Sequence, residues 1–134
     1  MVVLIDASIF CAFANTDDIF HQKAKTILER LFADRDQRLV TTDYIFDESV
    51  SVVMRKAGKE LAKELGRFIL QSEIILMNID DSLFPQAWEL FQKTEGFSFT
   101  DCSSLAFMTL VGVPKIATFD KGFRNANNIK IIEQ

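Results

Sequence analysis

Residues 1–10 read MVVLIDASIF. Val2 to Ile5 form an unbroken apolar run that ends at Asp6, and apolar residues resume at Ile9. A short continuous run bounded by a polar residue suits a strand buried on both faces. A buried carboxylate without a partner is expensive, so Asp6 needs hydrogen bonds, a metal ion or water. "SIFCAFAN" (8–15) then reads as a short helix with Ser8 near its start.

Working outward, strands and helices alternate. "TDDIFHQKAKTILERLFADRD" (16–36) predicts a helix capped by Thr16, with Asp17 and Asp18 in its first turn. Its apolar stripe is Ile19, Phe20, Ala24, Ile27, Leu28 and Leu31. "RLVTT" (38–42) is a strand. "DYIFDESVSVVMRKAG" (43–58) is a helix capped by Thr42 or Asp43 and closed by Gly58. A helix over 59–72, a strand "EIILMNI" (73–79) and a helix over 80–96 with Asp80 and Asp81 in its first turn follow. "TDCSSLAFMTLVG" (100–112) is a buried helix, and "KIATF" and "IKIIE" (129–133) are closing strands. This alternation predicts an α/β fold, a parallel sheet covered by helices, as one domain over 1–134. Ligands of such sheets bind beyond the carboxyl ends of the strands.

Composition narrows the function. Hydrophobic residues make up 49% of 134 and the net charge is −4, so a packed core is expected and no overall basic character advertises nucleic-acid binding. No apolar run is long enough to cross a bilayer, and no basic leader precedes Asp6, so a cytoplasmic protein is expected. The two cysteines, Cys11 and Cys102, read as small buried hydrophobes in a reducing compartment. The single histidine, His21, reads as a surface or half-buried residue. Phe84, Trp88 and Phe91 share a helical face, which fits core or a subunit interface better than a base-stacking platform. Phosphate-binding glycine loops and the nucleophile elbow are absent from the sequence.

What remains is a set of acids. Asp6 and Asp120 end apolar strands, Asp101 opens an apolar helix, and Glu48 lies at helical spacing among Tyr44, Ile45 and Val52. Each has a structural alternative. Asp6 and Asp101 could cap helices, Asp120 could serve a turn, and Glu48 could pair with a cation across the helix surface. If they converge, repulsion and desolvation raise some of their pKa values, and a hard divalent cation such as Mg²⁺ or Mn²⁺ removes the conflict. Such a cation can hold a phosphate oxygen and make a water more acidic, which permits phosphodiester hydrolysis without histidine or cysteine.

The motifs "VLIDASIF", "TTDYIFDESV", "FSFTDCSSLAFM" and "ATFDKGF" span nearly the whole chain. In this order they resemble the PIN domain, and specifically the toxin ribonucleases of VapBC-type toxin–antitoxin pairs. The resemblance implies a three-layer α/β/α fold and a Mg²⁺- or Mn²⁺-dependent endoribonuclease. Asp6, Glu48, Asp101 and Asp120 would form its metal and catalytic site, supported by the hydroxyls of Ser8 and Thr118. It also implies an RNA substrate, a homodimer and a small antitoxin that can place an arginine in the acidic cleft. Some relatives carry one more acid where this chain has Leu105. For RNA contacts, Lys115, Lys121, Arg124 and Lys130 cluster in sequence around Asp120, with Lys121 and Arg124 the chosen candidates. Arg55, Lys56, Lys59, Lys63 and Arg67 read as a solvated helix face. The rival readings are a catalytically inactive module of the same fold that binds RNA or protein, and a receiver-type phosphoacceptor. The second expects paired acids after the first strand, where this chain has Asp6 alone.

Overall fold

The computed structural model describes residues 1–125 and 129–132. β1 (Val2–Ile5) lies at the centre of a five-stranded parallel sheet of order β3-β2-β1-β4-β5. Its Val3, Leu4 and Ile5 are fully buried, as the opening apolar run requires of a strand covered on both faces. β2 (Arg38–Thr42) and β3 (Ile75–Met77) lie on one side of it, and β4 (Lys115–Ala117) and β5 (Lys130–Ile132) on the other. The predicted last strand, 129–133, is found at Lys130–Ile132, and Glu133 lies outside the described residues.

The helices are α1 (Ala7–Ala14), α2 (His21–Ala33), α3 (Asp43–Ala57), α4 (Lys59–Gln71), α5 (Leu83–Lys93) and α6 (Phe99–Val111). α1 packs on α2, α3 and α4, while α5 packs chiefly on α6. Right-handed crossovers put the first group on one face of the sheet and the second pair on the other, giving three α/β/α layers. The chain leaves β1 toward β2 and returns to the opposite side at β4. The boundary between β1 and β4 is therefore the point where strand order reverses, and a crevice opens there at the carboxyl ends of the strands.

Most predicted elements are present, with three differences. The helix expected from Thr16 begins at His21. Asn15 and Asp18 explain this, because their side chains accept the backbone N–H groups of Asp17 (3.1 Å) and Phe20 (2.8 Å) and fold the segment into turns. Ala24, Ile27, Leu28 and Leu31 are buried as expected, but Ile19 is 89% exposed and Phe20 38%. Asp80 and Asp81 precede α5 rather than lying in its first turn, and Asp80 Oδ1 accepts from the N–H groups of Ser82 and Leu83. β3 is apolar yet exposed along its length, because it is an edge strand bonded to β2 alone.

Candidate active site

The register at the sheet centre builds the site. Ile5 pairs with Ala117, and the Asp6 N–H donates to the Ala117 carbonyl at 3.0 Å. Asp6 and Thr118 thus emerge side by side at the carboxyl edge. Asp6 is 4% exposed, and its carboxylate Oδ2 accepts from Thr118 Oγ1 (2.7 Å) and Ser8 Oγ (3.0 Å). The two hydroxyls are themselves fixed from behind. Ser8 Oγ accepts the Phe119 N–H at 3.0 Å, and Thr118 Oγ1 accepts the Asp120 N–H at 2.9 Å. Each hydroxyl therefore has a proton to give to Asp6. One network joins the turn after β1 to the turn after β4, and Ser8 belongs to it as well as starting α1.

Asp120 follows β4, and its Oδ1 accepts the Gly122 N–H at 2.8 Å. Its carboxylate is packed so closely that a Cβ at Gly122 would lie 3.1 Å from Oδ1 and 3.4 Å from Phe97 Cε1. Asp101 stands in the first turn of α6. It takes part in a capping box: Ser98 Oγ accepts the Asp101 N–H at 3.1 Å, and Asp101 Oδ2 accepts the Ser98 N–H at 3.0 Å. The turn and cap roles that each acid could have had on its own are therefore real for Asp120 and Asp101, and do not compete with a place in the site. Asp6 occupies the cap position of α1 without a side-chain cap bond. Thr42 caps α3 by accepting the Ile45 N–H at 3.1 Å, which sets the phase that carries Glu48 toward the crevice.

Asp6, Glu48, Asp101 and Asp120 all line one cleft of about 460 Å³. The acids perturb one another. Burial raises the Asp6 pKa above the usual aspartate range, against the Thr118 and Ser8 hydrogen bonds that lower it. Glu48 is raised by burial, then by the charges of Asp6, Asp101 and Asp47, with Arg55 opposing. Asp101 is raised by burial and by Asp6 and Asp120, against its bond from the Ser98 backbone. Desolvated acids that feel each other's charge form a site poised to gain from a cation.

The donor set, all carboxylate oxygen, fits Mg²⁺ or Mn²⁺. Among the described residues, however, no three acidic, cysteine or histidine side chains close around one point. The acids wall a cleft, which suits an ion that keeps several waters and binds through one or two carboxylates.

Several cleft residues lie outside the sequence-based set. Lys56 lines the cleft with Glu48 and Val52, and the spacing of 48, 52 and 56 on α3 was the available signal. It is not simply part of a solvated face. Cys11 is half-buried, packed against the core on one side and lining the cleft on the other, and its thiol is pushed up to about 12 by burial and by Glu48 and Asp6. Asp18, Phe20 and Phe119 complete that wall. Lys121 and Arg124 are exposed on a 3₁₀ turn, Lys121–Asn125, directly after Asp120. They flank the cleft without lining it. Lys115 and Lys130 pair in register at the amino ends of β4 and β5, the opposite edge of the sheet, so the predicted basic cluster divides. Leu105 is buried at 8% exposure in α6. Cys102 is buried, and the half-buried His21 places Nδ1 2.9 Å from the Ala12 carbonyl, which can only accept. Phe84, Trp88 and Phe91 are 48%, 50% and 39% exposed, which excludes the core alternative for that face.

Known proteins are similar to this chain in sequence and fold. The 23S rRNA-specific endonuclease VapC20 of Mycobacterium tuberculosis is 25% identical over 132 residues, covering 97% of this chain and 98% of its own. Its crystal structure, described as that of a Sarcin-Ricin loop cleaving toxin, matches with a TM-score of 0.82 over 93% of this chain and 95% of that one. A VapC ribonuclease of Archaeoglobus fulgidus is 29% identical over 107 residues, 78% of this chain and 68% of that protein. A chain of VapBC2 from Rickettsia felis, crystallised with a DNA fragment from its promoter, has the same fold at 15% identity, with a TM-score of 0.71 and 98% of each chain covered. The family model described as PIN domain runs over residues 3–129, from within the first strand to the start of the last, and the chain belongs to that family.

Proposed function

We propose that this chain is one PIN-type nuclease domain acting as a divalent-metal-dependent endoribonuclease, the toxin of a VapBC-type pair, working in the cytoplasm. The observation that carries the reading is the convergence of Asp6, Glu48, Asp101 and Asp120 on one cleft at the switch point of the sheet. The ribonuclease names of the relatives support it. That no helix of the described residues is long and apolar enough to cross a membrane agrees with it.

Mg²⁺ or Mn²⁺, held between these carboxylates partly through water, would supply charge stabilisation at the phosphate and a more acidic water. The chain's own groups do the rest. Ser8 and Thr118 hold the Asp6 carboxylate in one orientation and favour its charged form. The capping box holds Asp101, and the Gly122 N–H holds Asp120. Lys121 and Arg124, with Lys56 at the cleft, supply the positive contacts that an RNA backbone needs in a chain of net charge −4. The same acids could take a guanidinium from an antitoxin, since arginine pairs with carboxylates bidentately.

The test is cleavage of RNA with Mg²⁺ or Mn²⁺. The sarcin–ricin loop of 23S rRNA is the first substrate to try, because VapC20 carries that description. Asp6→Asn and Asp101→Asn should each reduce cleavage at least 100-fold, on the scale of losing a preorganised charge contact. Activity that survives both substitutions, or excess EDTA, rejects the metal-dependent mechanism, whereas RNA binding without cleavage in the wild type, unaffected by either substitution, favours a binding module. Lys121→Ala with Arg124→Ala should weaken RNA binding and flatten its salt dependence, whereas unchanged affinity removes both from the interface.

A further inference from the structure

The wall of the cleft formed by the α1–α2 turn has no part in holding the acids. It carries an exposed aromatic ring, a carboxylate and a nearby lysine. Phe20 lines the cleft, is 38% exposed, and stacks on Phe119 with ring centroids 4.9 Å apart and planes 22° apart. Phe119 lies between Thr118 and Asp120, and its N–H donates to Ser8 Oγ, so the stacked pair is anchored to the network that holds the acids. Lys23 Nζ lies over the Phe20 ring, 5.7 Å from its centroid. Asp18, also in the cleft wall, uses Oδ1 to accept the Phe20 N–H at 2.8 Å, which fixes the ring and the carboxylate relative to each other.

An exposed phenylalanine beside an acidic cleft is costly to keep in water unless a flat apolar partner covers it. The partner must also accept a neighbouring carboxylate and tolerate a lysine. A nucleobase meets all three demands: it stacks on aromatic rings, presents N–H groups on its edge, and brings a phosphate. The lysine on the ring is not an obstacle. A cation–π contact at an exposed site is generally weaker than the stacking of a base on an aromatic side chain. A base therefore displaces the ammonium, which is then free to meet the adjoining phosphate. Among the bases, guanine offers adjacent N1–H and N2–H donors that suit a carboxylate acceptor.

We propose that the turn carrying Asp18 and Phe20 is a base-reading subsite, in which an unpaired guanine stacks on Phe20 and donates to Asp18 next to the phosphate held at the acids. This rests on the ribonuclease reading for its substrate, and it selects unpaired RNA, since a stacked and paired base cannot reach the ring.

The experiment measures fluorescence anisotropy with labelled pentamers UUGUU, UUAUU, UUCUU and UUUUU, using Ca²⁺ in place of Mg²⁺ so that binding is read apart from cleavage. Wild type should bind UUGUU at least 5-fold more tightly than UUUUU. Phe20→Ala should weaken UUGUU binding by about 5–100-fold, the range that alanine substitution gives for base stacking, while Phe20→Tyr keeps it. Asp18→Asn should remove the preference for guanine and retain binding. A thermal melt of each variant separates a lost contact from a lost fold. Equal binding by wild type and Phe20→Ala, including no binding by either, overturns the proposal, as does a guanine preference that survives Asp18→Asn. Absence of cleavage with Mg²⁺ beside intact guanine-selective binding would reject the nuclease reading and leave the subsite standing. Cleavage without any effect of Phe20→Ala would do the reverse.

Discussion

At the scale of single residues, the acids of the cleft set stability against function. In Asp6, Glu48 and Asp101 the folded carboxyl holds its proton more tightly than the unfolded one. Their contribution to stability is therefore full below the ordinary carboxylate pKa of about 4. It falls as pH climbs from there through the raised values, because the unfolded chain loses its protons first. Glu48 is the cleanest test, since its shift comes from burial and neighbouring charge. Glu48→Gln should raise the melting temperature of the metal-free protein at pH 7 by about 2–5 °C and abolish cleavage. Added Mg²⁺ should stabilise wild type and do less for the variant, as calorimetry would show. Gly122 makes a second case. A methyl there presses on Asp120 Oδ1 at 3.1 Å and is hemmed in by Phe97. Gly122→Ala should cost more activity than stability, visible as a kcat drop of at least 10-fold with a melting point within a few degrees of wild type.

Asp6, Asp101 and Asp120 were legible in the sequence because each ends or opens an apolar segment, and Glu48 because it sits at helical spacing among apolar residues. Lys56, Cys11 and Asp18 were not, for a physical reason. A lysine on an exposed helix turn, a lone cysteine and an acid near a helix start all have ordinary uses. Only the packing of α1 against α3 shows that they share a wall.

At the scale of elements, strands were read most reliably where they are buried on both faces, and helices where caps and stripe agree. α3 is the clear example, with Thr42 at its start and Gly58, at φ 101°, at its end. α2 failed because Asn15 and Asp18 capture backbone N–H groups that a longer helix would need. Side-chain competition of that kind is nearly silent in a periodicity pattern. The basic cluster failed for a different reason: Lys115 and Asp120 are close in sequence, but a strand lies between them, so they project at opposite edges of the sheet. The capping box of α6 gives a test at this scale. Ser98→Ala removes the acceptor for the Asp101 N–H and should destabilise the fold by about 1 kcal/mol. Cleavage should fall further than that loss of stability explains, because the first turn of α6 that positions Asp101 is loosened, leaving only the Ser98 backbone N–H on its carboxylate. Urea denaturation alongside single-turnover kinetics separates the two effects.

At the scale of the whole molecule, the order β3-β2-β1-β4-β5 follows from alternating strands and helices only once the chain is known to reverse direction across β1. The sequence supplied the alternation, while the reversal depends on which helices pack together. The aromatic face of α5 is the feature that this architecture leaves uncovered. Trp88 and Phe91 stack at 5.9 Å, and Phe84, Trp88 and Phe91 all stand near Phe99. Large exposed aromatic patches mark interfaces more often than bare surface. If the chain forms the expected homodimer through this face, Trp88→Glu should convert a dimer to a folded monomer in light scattering. A dimer that persists moves the interface elsewhere.

The hydroxyl network between Ser8 and Thr118 also bears on when the protein becomes dangerous to the cell that makes it. Asp6, Glu48 and Asp101 have all been synthesised before Thr118, the second of the two hydroxyls that steady the first of them, exists. Thr118 lies 112 positions after Asp6, and Asp120 is later still. A product stalled or truncated ahead of β4 lacks one of the two strands that pair with β1, the Thr118 hydroxyl on the Asp6 carboxylate, and the last acid. Competence is therefore gained only once β4 and the residues just after it have been made, when contacts of long sequence separation close. Under the toxin reading, chains that stop ahead of β4 would be harmless by construction, and only those that include it would need a partner to restrain them.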